Sequence, residues 1–282
     1  MLLGASAAGL EQHPESVPQN ERVMLAAVSR DDTTLVGGLS SSRWTGRGTV
    51  YVEPMAWITE SGEWRSIPCD YSYRDTCKKF EREYLSKAHT YTVVSADGRG
   101  ASVQSAPVKL SECADYTGTG TYSGASISGS AIAASSTDMF AEGEAPRLLD
   151  KAEAAPIRQA LATLVPGKLD PTLHLRLYSL QLEGKNLIVL QWSTADFIDK
   201  PQERSVKHIF GIGTLSEGHF QLLRWKQDTE DEDERILGTI RLKSGREFLI
   251  TTACDPESQR FRVYGIREDK LKMVYEGGGS SC

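Results

Sequence analysis

The densest group of side chains that could do chemistry is the acidic run DTEDEDE, which extends from Asp228 to Glu234. Carboxylates this closely spaced could bind a cation or a basic partner. The run lacks the glycine and the roughly twelve-residue ligand spacing of a calcium-binding helix–loop–helix site. We predict a solvated loop, with an interaction loop as the functional alternative. Its candidate residues are Asp228, Glu230, Asp231, Glu232, Asp233 and Glu234.

Five cysteines could form disulfides or bind metal, and they are Cys69, Cys77, Cys113, Cys254 and Cys282. None belongs to a CxxC pair, and no cysteine–histidine set has zinc spacing, so we predict no metal site. If the protein is exported, we predict two disulfide bridges, Cys69 with Cys77 and Cys254 with Cys282, while Cys113 stays outside a bridge. A cytosolic location predicts five reduced, buried thiols instead.

No motif in the sequence indicates catalysis. The five histidines are His13, His89, His174, His208 and His219, and none lies in HExxH. The last three fall on predicted strands and would cluster only if those strands are neighbours. The segment SGASISG merely imitates the G-x-S-x-G nucleophile motif, and GRG and GGG lack the strand–loop–helix context of a phosphate site. We therefore predict no catalytic residue and no cofactor.

Composition narrows the possible partners. The chain has 282 residues, a net charge of -6, 39% hydrophobic and 25% charged residues, and a pI near 5.5. These values are typical of a globular protein and do not indicate binding to nucleic acid or to an anionic membrane surface. No apolar run approaches the roughly 20 residues of a membrane span. A protein partner is therefore favoured.

The N-terminal segment, residues 1–30, is predicted to be a flexible leader. It opens with MLLGASAAGLEQ, in which Ala5-Ser6-Ala7 resembles the small-x-small cleavage site of a secretory signal. The basic region of such a signal is absent and the apolar part is short. We favour export to the periplasm or the extracellular space, with the cytoplasm as the alternative.

Residues 31–135 are predicted to form an N-terminal β-barrel or sandwich. Turn signals at Glu60–Glu63 and at Asp97-Gly98 separate extended, aromatic-rich segments. Trp57 and Trp64 flank the first turn and are expected to contact each other across the strands. The biased segment 115–137 is expected to begin as a strand and end as a linker. The tryptophans could form a ligand platform, although core packing is favoured.

Residues 136–170 are predicted to hold a linker and the one clear helix. In PIRQALATLVPG, the residues Ile157, Ala160, Leu161 and Leu164 share one helical face. Pro156 suits the first turn of this helix, and Pro166-Gly167 should end it.

Residues 171–282 are predicted to form two sets of four strands. QLEGKNLIVL and RLKSGREFLI match at the turn glycines Gly184 and Gly245, and NLIVLQW is apolar enough for burial on both faces. A four-stranded unit that repeats at this spacing is typical of β-propeller blades. Two blades cannot close a propeller, so the units should pack on each other, on the helix or on the N-terminal domain.

The segment from Ile236 to Gly279 resembles a degenerate repeat of the FG-GAP or VCBS type. The resemblance implies a propeller-like scaffold and, in intact members, a D-x-D-x-D-G turn whose carboxylates bind calcium. Here the positions before Gly245 hold Ser244, Leu242 and Ile240. Those before Gly184 hold Glu183, Gln181 and Ser179. We therefore predict a plain hairpin without calcium.

The sequence as a whole predicts a mostly-β protein. An N-terminal β-barrel or sandwich would precede a C-terminal domain of two four-stranded, propeller-blade-like meanders with one α-helix. The favoured function is a non-enzymatic exported binding or accessory structural protein, a subunit or partner in an envelope or extracellular assembly. The alternative is a hydrolase-type enzyme whose active site is assembled from residues distant in sequence.

Overall fold

The computed structural model describes residues 22–29, 43–67, 74–108, 118–164, 175–193, 208–228, 232–254 and 259–278. Most of them are β-strand, and the strands form three sheets. None of the helices in these ranges has the length and apolar character needed to cross a bilayer.

The N-terminal sheet closes into a six-stranded barrel. Its strands are β1 Arg22–Ser29, β2 Arg43–Thr59, β3 Trp64–Ser66, β4 His89–Val93, β5 Ser102–Ser105, β6 Gly118–Ser128 and β7 Ser130–Ala134. The strand order is β1-β7-β4-β5-β6-β2-β3, and β1 also pairs with β2, which closes the ring and leaves β3 outside it. Helix α1, Arg74–Phe80, and a π-helical turn, Glu81–Leu85, contribute Cys77, Phe80 and Leu85 to the barrel core.

Two predictions about the barrel segment are wrong. The leader was predicted to reach residue 30, but Arg22–Ser29 is β1, in which seven of eight residues are buried. The second half of the biased segment was predicted as linker, but Ser130–Ala134 is the fully buried strand β7. Small side chains suit both strands, because β1 and β7 are covered on their inner and outer faces. The turns at Glu60–Glu63 and Asp97-Gly98 are confirmed.

The two predicted four-stranded meanders are confirmed. The outer sheet contains β10 Arg176–Leu182, β11 Lys185–Ser193, β12 His208–Ser216 and β13 His219–Asp228, and β9 Arg147–Leu148 pairs with β10. The central sheet contains β14 Asp233–Leu242, β15 Glu247–Cys254, β16 Gln259–Arg267 and β17 Lys270–Gly277, and β8 Phe140–Ala141 pairs with β14. The hairpin at Lys243–Gly245 is present, with Gly245 at φ 87°.

The sheets stack in layers. The barrel packs on one face of the central sheet through an apolar cluster that includes Leu25, Ile132, Leu237 and Phe248. The outer sheet packs on the other face through a second cluster, with Leu180, Val189, Ile236 and Leu249. Strands β14, β15 and β16 are therefore buried along most of both faces, which explains their long apolar runs, whereas the edge strand β17 is partly exposed.

Helix α2, Lys151–Leu164, covers the outer face of the outer sheet. It begins five residues before Pro156, which lies inside the helix and not in its first turn as predicted. On the predicted apolar face, Ile157 and Leu161 are buried, whereas Leu164 is 48% exposed. The start is fixed by a reciprocal capping box: Asp150 Oδ1 accepts the Glu153 N–H at 2.9 Å, and Glu153 Oε2 accepts the Asp150 N–H at 3.1 Å.

Replacing Asp150 by alanine should destabilise the protein by about 1 kcal/mol, because two orphan N–H groups lose their acceptor. The measurement is the urea midpoint of the full chain. Glu60→Ala, at an exposed turn position, is the matched control and should leave the midpoint unchanged. Equal shifts in the two variants would contradict a capping role.

Candidate functional site

The main polar feature of the described structure lies at one end of the central sheet. Here β14 and β16 begin and β15 and β17 end, and we call this place the loop end. The C-terminal part of the acidic run enters the sheet at this point, since Asp233 is the first residue of β14. Side chains alternate along a strand, so the polar groups occupy both faces of the sheet.

Glu234 is at the centre of the network on the face toward the outer sheet. Its side chain is 1% exposed. It accepts hydrogen bonds from Arg262 Nη1 at 2.7 Å, Tyr264 OH at 2.6 Å and Thr251 Oγ1 at 2.9 Å. Burying a carboxylate costs much free energy unless such a set of donors surrounds it.

Arg262 links three carboxylates. Its Nη1 donates to Glu232 at 2.6 Å and to Glu234 at 2.7 Å, and its Nε donates to Glu276 at 2.7 Å. Burial alone would lower the pKa of Arg262, but these carboxylates outweigh it and raise the pKa. Burial, and then the charge of Glu234, raises the pKa of the Tyr264 hydroxyl, which stays protonated as a donor.

The outer sheet supplies cations to the same network. Lys226 Nζ on β13 lies 2.7 Å from Glu232, and Arg224 Nη2 lies 3.7 Å from Glu234. Burial alone would raise the pKa of Glu232, but the hydrogen bond from Lys226 and the charge of Arg262 outweigh it and lower the pKa. The guanidinium carbon of Arg224 also lies over the Tyr264 ring, 5.3 Å from the ring centroid.

A second group of polar side chains includes Asp233. It precedes Glu234 on β14, so its side chain starts from the opposite face of the strand. Asp233 accepts from Arg235 Nε at 2.5 Å, and its other oxygen lies 3.5 Å from His208 Nδ1. Burial would raise the pKa of Asp233, but the hydrogen bond from His208 and the charge of Arg235 outweigh it and lower the pKa. Gln259 links this end to the barrel by donating to Glu53 at 2.8 Å.

Cys254 lies beside this group as a free, buried thiol. Burial raises its pKa to about 12, so it is protonated and lacks the thiolate of a nucleophilic cysteine. The predicted Cys254–Cys282 bridge is therefore not formed in this structure. Cys77 is buried, but Cys69 lies outside the described residues, as do Cys113 and Cys282, so the Cys69–Cys77 bridge stays a prediction.

The predicted interaction loop is only partly at the surface. Asp233 and Glu234 are engaged inside the molecule and cannot meet a partner, whereas the side chain of Glu232 is 22% exposed. Glu230 and Asp231 lie outside the described residues, and Asp228 is the last residue of β13. The prediction of a solvated loop is wrong for Asp233 and Glu234, because Asp233 pairs with Arg235 on the same strand and Glu234 pairs with Arg262 on β16.

Other candidate residues are not brought together. His208 and His219 lie at opposite ends of the β12–β13 hairpin, so they form no cluster, and His13 and His174 lie outside the described residues. Trp57 and Trp64 face opposite sides of β2 and β3 and do not pair as predicted: Trp57 contacts Phe80 and Tyr84, and Trp64 contacts Phe248. In the described ranges, no group of three or more histidine, cysteine or carboxylate residues could hold a metal ion.

The basic residues of this network, Arg262 above all, were not predicted from the sequence. Arg262 and Tyr264 alternate within FRVYGI, the middle segment of β16, whose other four residues are apolar. A charged residue inside a strand that is buried on both faces indicates an internal counter-ion. That signal could have identified Arg262, although not its partners.

No protein-family model, curated protein or solved structure matches this chain.

Proposed function

We propose that the protein is a non-enzymatic binding or accessory structural module, a subunit or partner in an exported assembly. The observation that carries the proposal is the edge of the outer sheet. Strand β13 has ten residues and, in the described ranges, pairs only with β12. A long open edge can accept an extended segment of another protein through backbone hydrogen bonds.

The side chains of β13 suit such a partner. Leu223 is 43% exposed at a β-bulge that interrupts the pairing near Gly213. The strand itself is held firmly, because β12 pairs along its length and Trp225 packs in the cluster beneath helix α2. A rigid edge loses little conformational entropy when a partner segment binds.

Export is proposed from the sequence alone. The Ala5-Ser6-Ala7 pattern and the spacing of Cys69 and Cys77 support it, whereas the free thiol of Cys254 removes the second expected bridge from that support. Disulfides are typical of oxidising compartments.

We also propose that the two meanders are blade-like repeats related to the FG-GAP or VCBS type. Their equivalence supports this relation: each is a four-stranded antiparallel unit, and each carries a two-residue strand, β9 or β8, beside its first strand. The first hairpin of each unit turns at a glycine with positive φ, Gly184 and Gly245.

The function is tested by the native size of the protein in gently solubilised source cells, measured by native gel and mass spectrometry of the co-migrating bands. We expect a defined assembly larger than the 31.0 kDa chain. Leu223→Lys should release the protein as a free species. Met273→Lys on β17, where the side chain is equally 43% exposed, is the matched control and should remain in the assembly.

Migration of the unmodified protein as a free monomer would overturn the proposal. The hydrolase alternative would then be favoured, because the loop end already gathers titratable groups from strands distant in sequence.

A further inference from the structure

The outer and central sheets meet at the loop end through opposite charges. The acids belong to the central sheet or directly precede it, and the cations belong to the outer sheet. The three pairs are His208–Asp233 at 3.5 Å, Arg224–Glu234 at 3.7 Å and Lys226–Glu232 at 2.7 Å. His208 is cationic only when protonated. Attraction between the sheets at this end therefore depends on ionised carboxylates.

We propose that this contact is an acid-sensitive latch, which opens the loop end of the outer sheet from the central sheet while the barrel stays folded. The latch is a property of the fold and does not depend on the proposed function. Its opening would uncover Phe210 and Tyr264, whose rings stack across the interface at 6.4 Å beside the charged pairs.

Protonation converts this contact from attraction to repulsion. Once Glu232 and Asp233 are neutral, Arg224, Lys226 and Arg262 remain charged and outnumber the carboxylates between them. Like charges in a partly buried, low-dielectric site repel each other strongly. Opening of the interface relieves this repulsion, because water can then hydrate the cations.

Charged and polar groups on the neighbouring strands modify this response. Glu276 on β17 still pairs with Arg262 and with Arg260, so it compensates part of the remaining positive charge. On the other face, Arg235 loses its partner Asp233, beside the neutral thiol of Cys254 and the Glu53–Gln259 hydrogen bond. The Glu53–Gln259 hydrogen bond joins the central sheet to the barrel, and does not involve the outer sheet.

The remainder of the interface is less sensitive to acid. Its middle is the apolar cluster around Leu180, Val189 and Leu249. Its opposite end has the Glu183–Arg246 pair at 2.9 Å, whose side chains are each about one-fifth exposed, at 21% and 22%. The barrel contacts the central sheet mainly through apolar side chains. Opening should therefore be local.

The direction of the pH dependence follows from Glu232 and Asp233. Their pKa values in the folded protein lie below the ordinary values of 4.5 and 3.8. Ionisation therefore favours the closed latch above those values, and this contribution is lost as the pH falls through the lower, folded pKa values. The latch should be closed at neutral pH and should open only when the pH falls below these lowered pKa values.

The test is amide hydrogen exchange of the full chain at a series of pH values from neutral down to about pH 2, corrected for intrinsic exchange rates. The key reporter is the Ile236 amide, which donates across the interface to Gln191 Oε1 at 3.2 Å. We expect protection of Ile236 and of the first residues of β12 to fall by about tenfold or more at acid pH, while amides of β1 and β7 keep theirs.

A charge-neutral variant separates the latch from a general effect of acid. Glu232→Gln with Asp233→Asn should open the loop end at neutral pH. Glu183→Gln, which removes a carboxylate that bridges the same sheets at the opposite end, should not. Retained protection of Ile236 at acid pH would overturn the proposal, and so would simultaneous loss of protection in the barrel. The unmodified chain alone decides between these outcomes if the variant does not fold.

Discussion

Replacing Glu234 by alanine should destabilise the protein by about 3–5 kcal/mol, because it leaves a buried arginine without its central counter-ion. Arg262, Tyr264 and Thr251 all donate to this one carboxylate, whose side chain is 1% exposed. Removing it takes away the acceptor of the Tyr264 hydroxyl, the shorter hydrogen bond of Thr251 and one of the two acceptors of Arg262 Nη1. Urea denaturation at neutral pH measures the loss.

The matched control is Glu276→Ala. Glu276 also pairs with Arg262 at 2.7 Å, but its side chain is 32% exposed and water can replace it. Its loss should cost about 1 kcal/mol or less. Equal losses for the two variants would show that burial does not set the strength of the network.

A double-mutant cycle tests whether the pair acts as a unit. Glu234→Leu with Arg262→Leu removes both central charges, while Glu232 keeps Lys226 and Glu276 keeps Arg260. The double variant should therefore be less destabilised than the sum of the two single variants, by roughly 0.5–3 kcal/mol. Additive losses would contradict a coupled pair.

The two meanders were predictable because their signals are local. Turn glycines such as Gly184 and Gly245 adopt positive φ, and the apolar runs on either side have strand length. Each strand then pairs with its neighbour in the chain, so no long-range contact has to be inferred. The apolar segment NLIVLQW indicated a strand with neighbours on both faces, although not which element covers which face.

The barrel was only partly predictable because it closes through distant pairings. Strand β1 pairs with β7, so that Ala27 lies opposite Ile132, about a hundred residues further along the chain. The small residues of β1, and those of SAIAA in β7, resemble a linker when the pairing partner of each strand is not known. The start of helix α2 was missed for a different reason: Asp150 and Glu153 form a capping box whose signal lies before the apolar stripe.

The network at the loop end could not be predicted from spacing. Glu234 and Arg262 are 28 residues apart and meet only because β14 and β16 flank β15. The sequence indicates the acidic run, and the fold decides which of its members turn inward. Glu234 points toward the outer sheet because Ile236, two residues later, packs in the same interface.

Replacing Phe248 by alanine should cost about 3–5 kcal/mol and should weaken the contact between the barrel and the central sheet. The ring is fully buried and packs edge-on against Trp64, with centroids 5.4 Å apart. Met273→Ala, at a 43% exposed position, is the control and should change stability by about 0.5 kcal/mol or less. The free energy of unfolding measures both, and a loss below about 1 kcal/mol for Phe248→Ala would show that the layers close the cavity.

Two glycines make room for this ring, and they allow a sharper test. A Cβ at Gly62 would lie 3.0 Å from Phe248 Cζ, and one at Gly265 would lie 3.1 Å from Cδ1. Gly62 also has φ +78°, so Gly62→Ala should cost about 1 kcal/mol or more through strain and contact together. In the Phe248→Ala background the contact disappears and only the strain remains. The double variant should therefore be less destabilised than the sum of the single variants, because the turn glycine is required partly by the aromatic ring that joins the two layers.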